Sequence, residues 1–200
     1  MQLIEAHNII NNIGVPVFST NDIATTLNIT TSHASNILNR LVVAGFLAHL
    51  SRGLWGIINI IDPLKLPEYL SAPLPSYISL QSALYFHGLI SQVPEVIYAV
   101  SLARTKVIST TLGCISLHHL QPAFFFGFTI EGKEAIKIAT PEKALVDFLY
   151  LTPAKNDLFQ ALPELELPSH FNIGLVWDIV EKIPAIRRRN MVKKLLNNIV

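Results

Sequence analysis

The first 45 residues contain apolar positions spaced as in short helices, and polar turns separate them. Apolar residues recur every three or four positions in residues 3–13 and again in residues 30–41, which predicts two amphipathic helices. A shorter helix between them begins at Ser19 or Thr20, because both residue types cap helix N-termini. Asn28 follows this short helix and tolerates the left-handed backbone of a tight turn. Thr30 then caps the second long helix.

Two apolar segments after the second long helix predict a β-hairpin. Residues 46–50 and 54–60 have the composition of strands, and they flank Ser51-Arg52-Gly53. A winged helix-turn-helix consists of these parts in this order: a helix, a short helix, a tight turn, a long helix and a hairpin. The pattern therefore predicts such a domain over residues 1–61.

The remaining sequence predicts a linker and a second, mixed domain. Four of the twelve prolines lie in residues 62–76, and because proline fixes φ and removes a backbone donor, we expect an extended linker there. Residues 77–200 mix helical and strand patterns, which predicts an α+β fold with a small antiparallel sheet and C-terminal helices. The predicted strands are 97–102, 105–110, 114–120, 125–130 and 135–140, and the predicted helices are 79–87, one that begins at Thr140, 172–183 and 185–198.

Composition narrows the class of protein. Half of the residues are hydrophobic, 14% are charged and the formal net charge is +1, so the chain can build a core but has no overall attraction to polyanions. A single cysteine, Cys114, and no signal-peptide pattern at the start of the sequence indicate a cytoplasmic protein. Residues 69–94 and 107–130 carry no charge, but prolines, glutamines and histidines interrupt both, which favours buried elements over membrane helices.

The polar side of the second long helix has the chemistry needed to bind double-stranded DNA. In a helix-turn-helix this helix lies in the major groove, where Asn pairs with adenine, Arg with guanine, and Ser or Thr with either. The predicted contact residues are Thr30, Thr31, Ser32, His33, Ser35, Asn36, Asn39 and Arg40 on the helix, and Arg52 at the hairpin tip.

Charge limits this interpretation. Residues 1–61 contain two arginines and two acidic residues, whereas contacts to phosphate supply most non-specific affinity for DNA. A neutral module of this kind should bind weakly unless a second copy or another basic segment assists. Docking of a protein partner is therefore an alternative use of the same fold.

Two groups of charged residues in the second half have both structural and functional interpretations. Lys143 and Asp147 are spaced i, i+4 on a predicted helix, as in an ordinary surface pair worth roughly a few tenths of a kcal/mol, or they are functional residues of this domain. Residues 187–194 hold five of the fifteen Lys and Arg residues, which form either a solvated helix face or a contact to nucleic acid or a partner. These five are Arg187, Arg188, Arg189, Lys193 and Lys194.

Other patterns do not predict a metal site, a cofactor site or an enzyme. Cys114, His118 and His119, with His170, have the composition of a metal-ligand set, but neighbouring strand residues point to opposite faces, which favours a buried thiol and surface histidines. The aromatic run 124–128 predicts burial, with an interface as the alternative. The sequence contains no phosphate loop, nucleophile elbow or zinc-protease helix.

Four stretches in order resemble the AbiE-type antitoxin family of bacterial transcriptional regulators. They are FLAHLSRGLWGI (46–57), YISLQSALYFHGLISQVPEVIYAVS (77–101), TTLGCISLHHLQPAFFFGF (110–128) and IATPEKALVDFLYL (138–151). The resemblance implies a repressor that binds inverted repeats in its own promoter. It also implies an antitoxin in a type IV toxin–antitoxin, or abortive infection, system. Such an antitoxin counteracts a nucleotidyltransferase toxin, commonly without a stable complex.

The sequence departs from this family in having few Lys and Arg residues on the recognition helix and hairpin. Two other functions remain open. One is a regulator without a toxin, whose C-terminal domain senses a ligand or forms an oligomer. The other is a winged-helix adaptor that docks a protein.

Overall fold

The computed structural model describes residues 3–152, 164–169 and 171–199. These residues form a mixed α+β fold with eight helices and two sheets. The helices are α1 Leu3–Asn12, α2 Thr20–Thr26, α3 Thr31–Val43, α4 Leu66–Ser71, α5 Leu80–Phe86, α6 Pro141–Leu151, α7 Ile173–Glu181 and α8 Ile186–Leu196. The strands are β1 Val17–Ser19, β2 Leu47–Ser51, β3 Leu54–Ile57, β4 Ser76–Ile78, β5 Val96–Ser101, β6 Lys106–Thr110, β7 Gly113–His119, β8 Phe128–Glu131 and β9 Ile136–Ala139.

The three helices and the hairpin predicted near the N-terminus are present, with the predicted caps. Ser19 caps α2 in a reciprocal pair with Asp22, and the Thr30 side chain accepts from the backbone N–H of His33 at the start of α3. Asn28 has the predicted left-handed backbone, with φ of 51°. Strands β1, β3 and β2 form an antiparallel sheet in that order. Its core with the helices contains Ala6, Ile10, Phe18, Ile23, Ala24, Ala34, Ile37, Leu38, Leu41, Leu47, Trp55 and Ile57.

Residues 63–71 of the proline-rich segment are helical, so the prediction of an extended linker is wrong for this part of it. Asp62 caps a short 3-10 turn that contains Pro63, and α4 follows with Pro67 in its first turn. Proline is tolerated at these positions because the first backbone N–H groups of a helix have no helical acceptor. Leu66 and Leu70 lie four residues apart and are buried, so α4 belongs to the second core.

The second sheet has six strands and is mixed, so the prediction of a small antiparallel sheet is wrong for this half of the chain. Its order is β6-β7-β5-β4-β9-β8, with parallel pairs β5–β7 and β4–β9. The short strand β4 lies between β5 and β9, and it ends at Ile78. Strand order depends on long-range pairing, which the local alternation of side chains does not encode.

The hairpin contributes to both cores and therefore joins the two halves of the molecule. Leu47 belongs to the N-terminal core, whereas Ala48 and Leu50 on the same strand belong to the larger core. A Cβ atom at Gly56 would lie 2.2 Å from Cδ1 of Ile61, so any larger residue would require the Ile61 side chain, which crosses β3 here, to shift. The hairpin is thus fixed against the second half rather than free to swing.

The C-terminal helices α7 and α8 occur where the sequence predicts them. Val176, Ile179 and Val180 of α7 and Val192 of α8 are buried in the larger core. Among the described residues, no helix is both long and apolar enough to span a bilayer.

Candidate nucleic-acid interface

A polar groove separates the exposed side of α3 from the hairpin. Its volume is about 870 Å³. The ten residues that line it are Thr20, Asn21, Thr31, Ser32, Ser35, Asn39, His49, Arg52, Gly53 and Trp55.

The apolar side of α3 is buried, and this fixes which of its residues face the groove. Ala34, Ile37 and Leu38 are at most 6% exposed and pack in the N-terminal core. Since a helix turns by about 100° per residue, Ser32 and Asn39 point away from that core, and both are exposed. The helix therefore presents hydroxyl and amide groups to the solvent side of the groove.

Five of the nine residues predicted to contact DNA lie together in the groove. They are Thr31, Ser32, Ser35, Asn39 and Arg52. Four others lie outside the groove lining although they are exposed on α3 or at its cap. These are Thr30, His33, Asn36 and Arg40.

The other five lining residues were not predicted from the sequence to contact DNA, and they are Thr20, Asn21, His49, Gly53 and Trp55. The Trp55 indole Nε1 donates to Oγ1 of Thr20 over 2.8 Å, which ties β3 to the first turn of α2. The His49 ring lies 4.8 Å from that of Trp55, and Asn21 completes the wall. One sequence signal for His49 was available. In a strand, alternate residues share a face, so His49 lies on the same side as Leu47.

A second cluster of polar groups lies in the interior of the other half. Lys143 and Asp147 form an ion pair in which both side chains are fully buried. Asp147 Oδ2 also accepts from the hydroxyls of Tyr77 at 2.9 Å and Ser79 at 2.8 Å. The pair is therefore not the ordinary surface pair that the sequence spacing suggested, since i, i+4 spacing is the same on a buried and on an exposed face.

Burial and charge act in opposite directions on this cluster. Desolvation raises the pKa of Asp147 and lowers the pKa of Lys143, and in each case the charge of the partner opposes the shift. The pKa of Tyr77 lies well above its usual value, because its hydroxyl is buried beside the Asp147 carboxylate. The Tyr77 hydroxyl is thus held as a donor.

Aromatic rings surround the Lys143 ammonium group. Its Nζ atom lies 3.9 Å from the ring centroid of Phe124 and 5.1 Å from that of Phe126, within range of a cation–π interaction. Gly127 lies against the lysine stem with φ of 77°, and a Cβ there would be 3.0 Å from Cγ of Lys143. Phe124 is buried and Phe125, Phe126 and Phe128 are half-buried, so the aromatic run mainly builds this interior.

Three of the five cationic side chains near the C-terminus bind groups of their own chain. Arg188 donates to the Tyr150 carbonyl at 3.1 Å, Arg189 donates to the Ile183 carbonyl at 2.7 Å, and Lys193 pairs with Glu181. Arg187 and Lys194 are exposed. A nucleic-acid contact at this helix stays a prediction, and these two side chains are the ones available for it.

His118 is buried, which corrects the expectation of a surface histidine. Its Nε2 lies 2.9 Å from the Ser116 hydroxyl, and burial lowers its pKa to about 4. His119 is exposed on the opposite face of β7, and Cys114 is half-buried. Within the described residues no cluster of three or more potential ligands could hold a metal ion, and His170 lies outside them.

Comparison with known proteins adds no family, because no family model and no curated protein matches this sequence. The resemblance to AbiE-type antitoxins therefore stays a prediction from the sequence.

Proposed function

We propose that residues 1–61 form a winged helix-turn-helix that binds double-stranded DNA, and that the chain is a transcriptional repressor. The observation that carries this proposal is the polar groove beside α3. Its Ser and Asn side chains point outward from a buried apolar stripe. These side chains have the hydrogen-bonding groups that read base edges, and a helix fits the width of the major groove.

The placement of the hairpin supports the same proposal. Arg52 lies at its tip, exposed and on the groove, where an arginine can reach a phosphate or the minor groove. The hydrogen bond from Trp55 to Thr20 fixes the hairpin relative to α2. Helix α3 and the hairpin are thus held in place before DNA binds, which reduces the conformational entropy lost on binding.

The second half is proposed to act as the antitoxin part of the chain, in the cytoplasm, as the sequence resemblance implies. It would counteract a nucleotidyltransferase toxin without needing a stable complex. We assign the buried pair of Lys143 and Asp147 a structural role in it, since neither side chain reaches solvent. Co-expression with a neighbouring nucleotidyltransferase-like gene tests this role, and persistent growth arrest would reject it.

Fluorescence anisotropy with a duplex from the region upstream of the gene tests DNA binding. Asn39→Ala should weaken binding by about 5- to 150-fold, because one base contact is worth about 1–3 kcal/mol. The variant keeps the helix, since Ala is the best helix former. Asn59→Ala is the matched control, because Asn59 is exposed in the turn after β3 and is not part of the groove. Equal affinities of both variants and the unmodified protein would reject this recognition surface.

A further inference from the structure

The groove has few positive charges for a surface that binds a polyanion. Among its ten lining residues Arg52 is the only Lys or Arg, and none is Asp or Glu. Double-stranded DNA carries one negative charge for about every 1.7 Å of helix axis. Bound DNA would therefore place phosphates beside neutral hydroxyl and amide groups, unless another lining residue gains a charge.

His49 is the one lining residue that can supply this charge. It lies on β2 directly opposite Trp55 in the strand register, with ring centroids 4.8 Å apart, and its side chain is exposed. Trp55 is 3% exposed and its indole is held by Thr20, so it forms a fixed platform. An imidazolium ring on such a platform is stabilised by cation–π attraction.

No acidic residue lines the groove beside His49. An anion that pairs with its ring would therefore come from outside the chain. Arg52 is the other ionisable residue of the groove lining. On α2, Asp22 accepts from the Ser19 backbone N–H at 2.7 Å, and it does not line the groove. On α3, His33 is exposed but also outside the lining. Among the hydrogen bonds of the described residues, none involves the His49 ring.

We infer that His49 is a phosphate-binding residue of the groove and that DNA binding takes up a proton there. This inference rests on the proposed DNA binding and deepens it. Histidine is the residue type whose charge changes between pH 5 and 8. A nearby phosphate favours its charged form, so the protein should bind DNA more tightly as the pH falls through this range.

The test is anisotropy with the same upstream duplex and the full chain at pH 8.5 and pH 6.0, at a fixed ionic strength of about 0.1 M. One additional phosphate contact changes the salt slope by about 0.9, which corresponds to roughly eightfold tighter binding at this salt concentration. His49→Gln should bind equally at both pH values. His49→Arg carries a fixed charge and should bind at both with the affinity of the unmodified protein at low pH.

His119→Gln is the matched control, because His119 is exposed on β7 and is not part of the groove. It should keep the pH dependence. If His49→Gln also keeps the pH dependence, the inference about His49 is wrong. Affinity that does not change with pH in the unmodified protein also overturns it, and both outcomes leave DNA binding intact. No binding at either pH would instead reject the proposed function itself.

Discussion

Lys143 and Asp147 form a salt bridge that is completely shielded from solvent, one turn apart on α6. Such pairs gain little net stability because both charges lose hydration, but removing one partner leaves an uncompensated charge inside the protein. Here the carboxylate also accepts two hydroxyl hydrogen bonds, and rings cover the ammonium group. The cluster therefore fixes how α6, β4 and the aromatic run pack together.

A double-mutant cycle should show that the contribution of each charged side chain to stability depends on the presence of the other. We expect Lys143→Met and Asp147→Asn each to lower the free energy of unfolding by about 3–5 kcal/mol, measured by urea denaturation. The double variant should lose less than either single variant, because no unpaired charge remains and the Asn carbonyl still accepts from Tyr77 and Ser79. Lys133→Met is the control at an exposed lysine. Additive losses in the double variant would contradict the interpretation of the pair as a coupled unit.

Gly127 offers a second test of the same packing. Its backbone has positive φ, so Gly127→Ala should cost about 1 kcal/mol from conformation alone. The added Cβ would also meet the Lys143 stem at 3.0 Å, so the total loss should be larger. Gly132 has φ of 67° with nothing within 4 Å of its added Cβ, so Gly132→Ala measures the conformational part. Equal melting temperatures of the two variants would show that the contact with Lys143 carries no cost.

The local elements of this fold could be predicted, because their signals are local. The caps at Ser19 and Thr30 and the apolar stripe of α3 follow from neighbouring residues. The strand order could not, since β4 is short and gains its central place from partners distant in sequence. The helical character of residues 63–71 was missed because prolines at helix starts look the same in sequence as prolines in linkers.

The candidate groove was predicted in part for a similar reason. Residues on α3 share a face that helical periodicity defines, so Ser32 and Asn39 could be found. Alternation along the strand gives the side on which His49 lies, but its place beside α3 depends on how the hairpin packs on α2, which no short-range pattern encodes. Likewise, nothing in the spacing of Lys143 and Asp147 distinguishes a buried pair from an exposed one.

His118 should make stability depend on pH. Its pKa in the folded chain is lowered to about 4 from the ordinary 6.5, so below pH 6.5 the unfolded chain binds a proton that the folded chain does not. Stability should therefore fall on acidification between pH 6.5 and 4, by up to about 3 kcal/mol from this residue. Urea denaturation of His118→Asn should lack this part of the pH dependence. His119→Asn, at the exposed neighbour, should keep it, and the same curve for both variants would contradict the assignment.

The salt dependence of DNA binding distinguishes the groove from the C-terminal helix as the source of phosphate contacts. Each contact contributes about 0.9 to the slope of log affinity against log salt. We expect Arg52→Ala to reduce the slope by about this amount for each bound domain, and Lys133→Ala to leave it unchanged. Removing Arg187 and Lys194 together should also leave it unchanged, because the proposed phosphate contacts come from the groove and not from these two exposed side chains. A reduction of about 1.8 in that double variant would instead place α8 on the DNA.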